Sequence, residues 1–329
     1  MELLSTWEKF IPNYKCDASN NPVAVIGGPN VNTYLPMTTI LSIYKVLQLT
    51  YGSAPLQTTK IQTTFLYSMF PNWSLQYIGI IQLLLFFKWT WVGALYLDDD
   101  NGEEFAQLVL PTFLEKGICF DFIKKFPQVS FSSDIGSIVV EGFTTFAFVL
   151  ESSATVVVIN GEIQTMMVIR TLLYFTENEH ISGMKKVWIM SAQMDITSLP
   201  FQRTWDMDFI HGALSLAVHS NEVSGFQNFL HIRKHISETE DGFIRDFWQE
   251  AFNCLLPGSL GDSPDGENCT GEEKLENLPG SVFEMSMTSH SYSIYNAVYA
   301  VAHALQAMDS SKFSRRILAN VNTGKPLHQ

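Results

Sequence analysis

Basic residues are scarce and scattered: no more than two lysines or arginines stand side by side, and 20 basic face 33 acidic residues, for a net charge of -13. Phosphate neutralisation has no footprint in such a chain, so nucleic acid is excluded as a partner. Cysteine is equally sparse. The four present, Cys16, Cys119, Cys254 and Cys269, never approach the C-x-x-C spacing of zinc or redox sites. The opening MELLSTWEKFIPNYKC lacks a basic start followed by an apolar run, so it does not read as a signal peptide. Catalytic signatures are missing too: there is no G-x-S-x-G, H-E-x-x-H or Walker loop.

Hydrophobic residues make up 46% of the 329 positions, enough to bury a large core and to build about two domains of roughly 150 residues. Long uninterrupted apolar runs are rare. Tyr77 to Leu97 is the one stretch long enough to span a membrane, but Lys88 sits in its middle. Its composition there changes from Leu and Ile to Trp, Thr, Val and Tyr. A buried helix running into a buried strand explains that change better than a membrane span.

Short apolar runs recur at PVAVIGG (22–28), WTWVGALYL (89–97), TVVVIN (155–160) and KVWIMS (186–191). Runs of this length suit central strands of a parallel sheet covered on both faces, which makes the fold class α/β. Helices are expected between them. Asn101 with Glu104 reads as a capped helix start, Phe105, Leu108, Val109 and Phe113 as its apolar face, and Gly117 as its end. Pro111 lies inside that helix and should kink it. A second helix over 291–308 places Ile294, Val298, Val301 and Leu305 at helical spacing and is expected to pack deeply.

The segment 255–281 is rich in Gly, Pro, Asp and Ser and reads as a surface loop. Cys254 and Cys269 bracket its first half, either as a disulfide stapling the loop base or as two free thiols. Asn72 and Asn268 each begin a glycosylation sequon, which together with those cysteines favours an oxidising, extracellular setting.

Metal sites are weakly indicated. His231 and His235 are four apart, but a solvated helical face accounts for them, with His211 and His219 nearby in sequence. Asp98, Asp99 and Asp100 follow a buried strand and precede a helix, where acids favour the helix N-terminus and where open α/β sheets bind ligands. That reading is preferred to a cation site. Gly27 and Gly28 end another strand, but the following Pro29, Asn30, Val31 and Asn32 break the dinucleotide fingerprint, so backbone approach to a small ligand is the more economical use. No metal or cofactor is implied.

Taken in order, PNYKCDASNNPVAVIGGPN (12–30), LQLTYGS (47–53), WTWVGALYLDDDNGEEF (89–105), KVWIMSAQ (186–193), GFIRDFWQEAFNC (242–254) and CTGEE with FEMSMTSHSYSIYNAVYAVAHALQAM (269–308) resemble vomeronasal type-2 receptors, which are class C G-protein-coupled receptors. The resemblance spans nearly the whole chain. It implies a bilobed, periplasmic-binding-protein-like (Venus flytrap) clamshell, each lobe a mostly parallel sheet flanked by helices. Lobe 1 would comprise 1–70 and 219–329 and be incomplete at its N-terminus, and lobe 2 would comprise 71–218. The resemblance also implies that the chain is not an enzyme and that Cys254 pairs with Cys269. Cys16 becomes a candidate intersubunit disulfide, and Cys119 would lack its partner in a cysteine-rich linker.

The same resemblance implies a cleft lined by Asn30, Asn32, Gly52, Ser53, Trp73, Asn101, Asn160 and Ser191, closing on a peptide or small-molecule chemosensory ligand. Several anchors of amino-acid receptors are replaced: Val31 and Tyr34 stand where relatives carry serines, Trp73 and Ala192 where they carry acids, and Asn101 where they carry tyrosine. Valine cannot donate the hydrogen bond that a serine gives a ligand carboxylate. A dimer through lobe 1 at the outer face of the plasma membrane is expected, with a G protein reached only through a membrane domain that this stretch lacks. The alternative is a non-signalling truncated product, such as a pseudogene or soluble decoy. A hydrolase or dehydrogenase has only the fold class in its favour.

Overall fold

The computed structural model describes residues 22–28, 31–52, 64–71, 74–127, 135–178, 185–194, 210–233, 242–256, 268–280 and 282–323. The chain divides into two compact units, one of Met1–Ala54, Thr58–Pro71 and His290–Gln329, the other of Pro55–Gln57 and Asn72–Ser289. In this division 219–289 groups with the middle of the chain, whereas the family resemblance assigns it to lobe 1.

The first unit holds a parallel sheet of β1 (Ala24–Ile26), β2 (Leu47–Thr50) and β3 (Leu66–Ser68) in that order. Helix α1 (Val31–Ile43) connects β1 to β2 and is tied back by polar contacts. The Thr38 hydroxyl donates to Gln48 Oε1 at 2.8 Å, and Gln48 Nε2 donates to the Tyr34 carbonyl at 3.3 Å. Gly28 takes φ of +95°, and a Cβ there would lie 2.2 Å from the Cβ of Tyr34. The space over Gly28 is therefore filled by α1, so the bare backbone expected to receive a ligand serves internal packing. Helix α9 (Ser289–Thr323) departs from expectation. Among its described side chains the buried ones are Ser289, Ser293 and Ala297, while Ile294, Val298 and Leu305 are exposed and Val301 is half-buried. Small side chains form the contact, and most of the apolar spacing that promised deep packing lies on the outer face.

The second unit carries five parallel strands: β4 (Trp91–Leu97), β5 (Cys119–Phe126), β6 (Val156–Asn160), β7 (Val187–Met190) and β8 (Leu214–Ser215). Their order in the sheet is β5-β4-β6-β7-β8, so the chain steps one way from β4 and then reverses to β6. Helices α2 (Ser74–Phe86), α3 (Asp100–Glu104) and α4 (Leu110–Glu115) cover one face, and α5 (Ile135–Glu151) and α6 (Ile163–Asn178) the other. Period-two alternation separates the faces. Val92, Ala94 and Tyr96 of β4 meet Ile80, Leu84, Phe105 and Phe113, whereas Leu95 and Leu97 meet Phe146, Met166 and Trp188. Two smaller helices, α7 (Phe226–Ile232) and α8 (Gly242–Phe252), follow among the described residues.

Helix α2 ends at Phe86, Lys88 takes φ of +59° and β4 begins at Trp91. The run Tyr77 to Leu97 is thus a helix, a turn and a strand, and no described helix is long and apolar enough to cross a membrane. Pro111 does interrupt its helix, through a π-helical turn at Phe105–Val109. The Leu110 N–H reaches back five residues to the Phe105 carbonyl, and α4 then restarts with proline in its first turn. Gly117, with φ of +81°, ends the segment as expected.

Candidate functional site

The strand order reverses between β4 and β6, which in an open α/β sheet opens a crevice at the carboxyl ends of the strands. Three of the expected cleft residues meet there. Asn101, in the first turn of α3, donates from Nδ2 to Glu162 Oε1 at 3.1 Å. Asn160, the last residue of β6, accepts the Tyr77 hydroxyl at 2.5 Å. Ser191, just past β7, is fully buried and donates to the Gly161 carbonyl at 2.9 Å. Its hydroxyl holds two strand ends together and presents no surface.

Sequence reasoning missed the residues that α2 contributes. Running antiparallel to β4, this helix brings its N-terminal turn to the carboxyl ends of the strands. Gln76 accepts the Ala192 N–H at 2.8 Å and donates to Gln193 Oε1 at 3.1 Å, so α2 and the turn after β7 share one polar network. Tyr77 is buried, which pushes its phenol well above the ordinary range and keeps it a hydrogen-bond donor. The available signal was positional: a polar pair opening an apolar helix directly before a buried strand.

The acidic run leads from the sheet into the start of α3. Asp98 still belongs to the sheet, its N–H bonded to the Phe126 carbonyl at 3.0 Å. Asp99 is then the N-cap of α3, accepting the Gly102 N–H at 2.8 Å, two residues before the cap expected at Asn101. Burial raises the Asp99 carboxyl above its usual value, with the neighbouring acids adding to the effect and the backbone N–H groups opposing it. Lys125 pairs with Asp98 at 3.2 Å and with Glu103, and hydrogen bonds to Glu103 and Asp98 raise its pKa.

In the first unit, Gly52 is buried just beyond β2, and Asn32 lies in α1. Asn30, Ser53, Trp73, Asn72, Cys16 and His235 lie outside the described residues. Among the described histidines, His231 Nδ1 sits 3.5 Å from Glu276 Oε2.

Cys254 and Cys269 form a disulfide, and Cys119 is an exposed free thiol at the start of β5. Cys254, Cys269 and Glu273 place one ligand atom each within 4.8 Å, but the disulfide consumes both sulfurs, so no metal set results. Glu273 instead closes a turn, accepting the Thr270 N–H at 2.5 Å, the Thr270 hydroxyl at 2.9 Å and the Gly271 N–H at 2.9 Å. Burial opposes the charge, yet these hydrogen bonds hold the carboxyl at about 2, against 4.5 for an ordinary glutamate. A depressed pKa contributes stability that is present above the unfolded value and lost as pH falls through the folded one. Amide protection of Thr270 and Gly271 is therefore expected to hold from pH 7 to 5 and decline between about 4.5 and 2. Hydrogen exchange read by NMR checks this, and Glu273→Gln should abolish the acid step.

Open parallel α/β sheets bind ligands at such a switch point. The chain belongs to the receptor family ligand binding region, whose family model matches residues 12–329. It is 31% identical over 312 residues to vomeronasal type-2 receptor 26 of Mus musculus, covering 93% of this chain and 34% of the relative. Identity to the extracellular calcium-sensing receptor of Homo sapiens is 25%, over 91% of this chain and 29% of that receptor. Metabotropic glutamate receptor 6 of Oryctolagus cuniculus is 22% identical, over 91% and 33% respectively. The chain spans about a third of the length of these curated relatives. The family is one of receptor modules, and the chain is not an enzyme.

Proposed function

We propose that the chain is the extracellular sensing part of a chemosensory, pheromone-type class C receptor, a clamshell that closes on a peptide or small polar ligand. The amide cluster of Asn101, Asn160, Gln76 and Gln193 at the switch point carries this reading. Such groups recognise peptide-like donors and acceptors without demanding a charge. Lobe 1 is assigned to 1–70 and 219–329 and lobe 2 to 71–218. Asn30, Asn32, Gly52, Ser53 and Trp73 are assigned to the same cleft, and a dimer through lobe 1 passes ligand-driven closure to membrane helices and a G protein.

The test joins this segment to an intact class C receptor frame at the cell surface and screens peptide and amino-acid pools by calcium signal. Responses to peptides are expected. Asn101→Ala should raise the half-maximal concentration about tenfold, the loss of one or two hydrogen bonds. A response to free amino acids that survives Asn101→Ala and Ser53→Ala together would sink the cleft assignment.

A further inference from the structure

The Asn268 sequon overlaps the disulfide: Asn268, Cys269 and Thr270 are consecutive, and Cys269 is bonded to Cys254. An N-linked glycan is transferred to an asparagine amide whose neighbouring threonine hydroxyl is open to the transferase, on a chain free to bend into its site. Here both requirements conflict with the folded loop. The Thr270 hydroxyl donates to Glu273 Oε1 at 2.9 Å and accepts the Glu272 N–H at 3.2 Å, so it is committed in both directions. The Thr270 N–H is held by the same carboxylate. On the other side, Asn268 forms a β-bridge with Leu255, and the Cys269 N–H bonds the Leu255 carbonyl at 3.0 Å. Asn268 itself is exposed.

We propose that Asn268 is a glycan acceptor only while the Cys254–Cys269 loop is open, so that disulfide closure and glycan transfer compete for the same residues during passage through an oxidising secretory compartment. The obstruction lies in hydrogen-bond commitment and backbone shape, because Thr270 remains exposed. Glu273 stays ionised across the physiological range, which keeps the turn closed once formed. Transfer moves the oligosaccharide from its lipid pyrophosphate carrier to the asparagine nitrogen, with the lipid pyrophosphate leaving and the amide giving up a proton. Closure gives up two thiol protons and passes two electrons to the compartment's disulfide oxidants, which are reduced to thiols. Two populations of mature chain result, differing at one asparagine.

This inference rests on the extracellular reading, and the experiment separates the two. The full chain is expressed in mammalian cells behind a heterologous signal peptide, and occupancy of Asn268 is measured by deglycosylation in heavy-oxygen water and peptide mass spectrometry. Whole-cell material is used, so variants that fail to fold still report. Partial occupancy is expected in the native sequence. Cys254→Ser, which leaves the sequon intact, should raise it at least twofold. Glu273→Ala, with the disulfide retained, should raise it by a smaller factor. Equal occupancy in all three chains, complete or nil, overturns the proposal. A disulfide-bonded chain with no glycan in any variant removes the competition while leaving the secretory reading standing, whereas free thiols at Cys254 and Cys269 in secreted native chain count against that reading itself.

Discussion

Gly102→Ala is expected to destabilise the second unit by about 3 kcal/mol or more, a fall of roughly 6–12 °C in Tm. A Cβ at this position would stand 1.8 Å from the Leu97 carbonyl oxygen and 2.8 Å from the Tyr96 ring. The first obstacle is the backbone of β4, which cannot rotate away as a side chain can. Any shift of α3 that relieves the clash also pulls the Gly102 N–H from its 2.8 Å bond to Asp99, losing the helix cap. Asn101 moves with it, so the contact to Glu162 at the switch point is lost as well. Gly79→Ala is the control. Gly79 lies within α2 with nothing in reach of an added Cβ, so alanine there should be neutral or stabilise by up to about 1 kcal/mol. Thermal unfolding of the two variants checks the pair, and equal behaviour would contradict the packing described for α3.

The same stretch explains what could and could not be read in advance. Strands β4 and β6 were legible because both faces are covered, leaving continuous apolar runs. Strand β5 was not, since it lies at the sheet edge and carries Lys124 and Lys125 where a central strand would carry Val or Ile. The two residues of β8 are too short to leave a pattern. The cap of α3 was misplaced because Asp98, Asp99, Asp100 and Asn101 all make good caps. Only the bond from Asp98 to Phe126, a partner 28 residues away, decides which is first free of the sheet. Site residues follow the same division. That Asn101 and Asn160 stand at strand ends can be read from the runs preceding them. That Ser191 turns inward to Gly161, and that Gln76 arrives from a helix earlier in the chain, depends on how elements stack.

Tyr77 joins the core to the site, and its two truncations should separate the contributions. The ring is buried, 5.2 Å centroid to centroid from Phe105, while the hydroxyl reaches Asn160 at the crevice. Tyr77→Ala removes both and should cost about 3–5 kcal/mol, the range for emptying a buried aromatic site. Tyr77→Phe keeps the packing but leaves the Asn160 carbonyl without this donor, at a cost of about 1–3 kcal/mol. Pairing Tyr77→Phe with Asn160→Leu in a double-mutant cycle isolates the hydrogen bond, with a coupling of about 1 kcal/mol expected. In the receptor chimaera, Tyr77→Phe should weaken ligand response more than its stability loss explains, because Asn160 is free to reorient only when its partner is gone. A cycle with no coupling would mean that the phenol merely fills space. The α2 contribution to the polar cluster at the switch point would then reduce to the Gln76 amide.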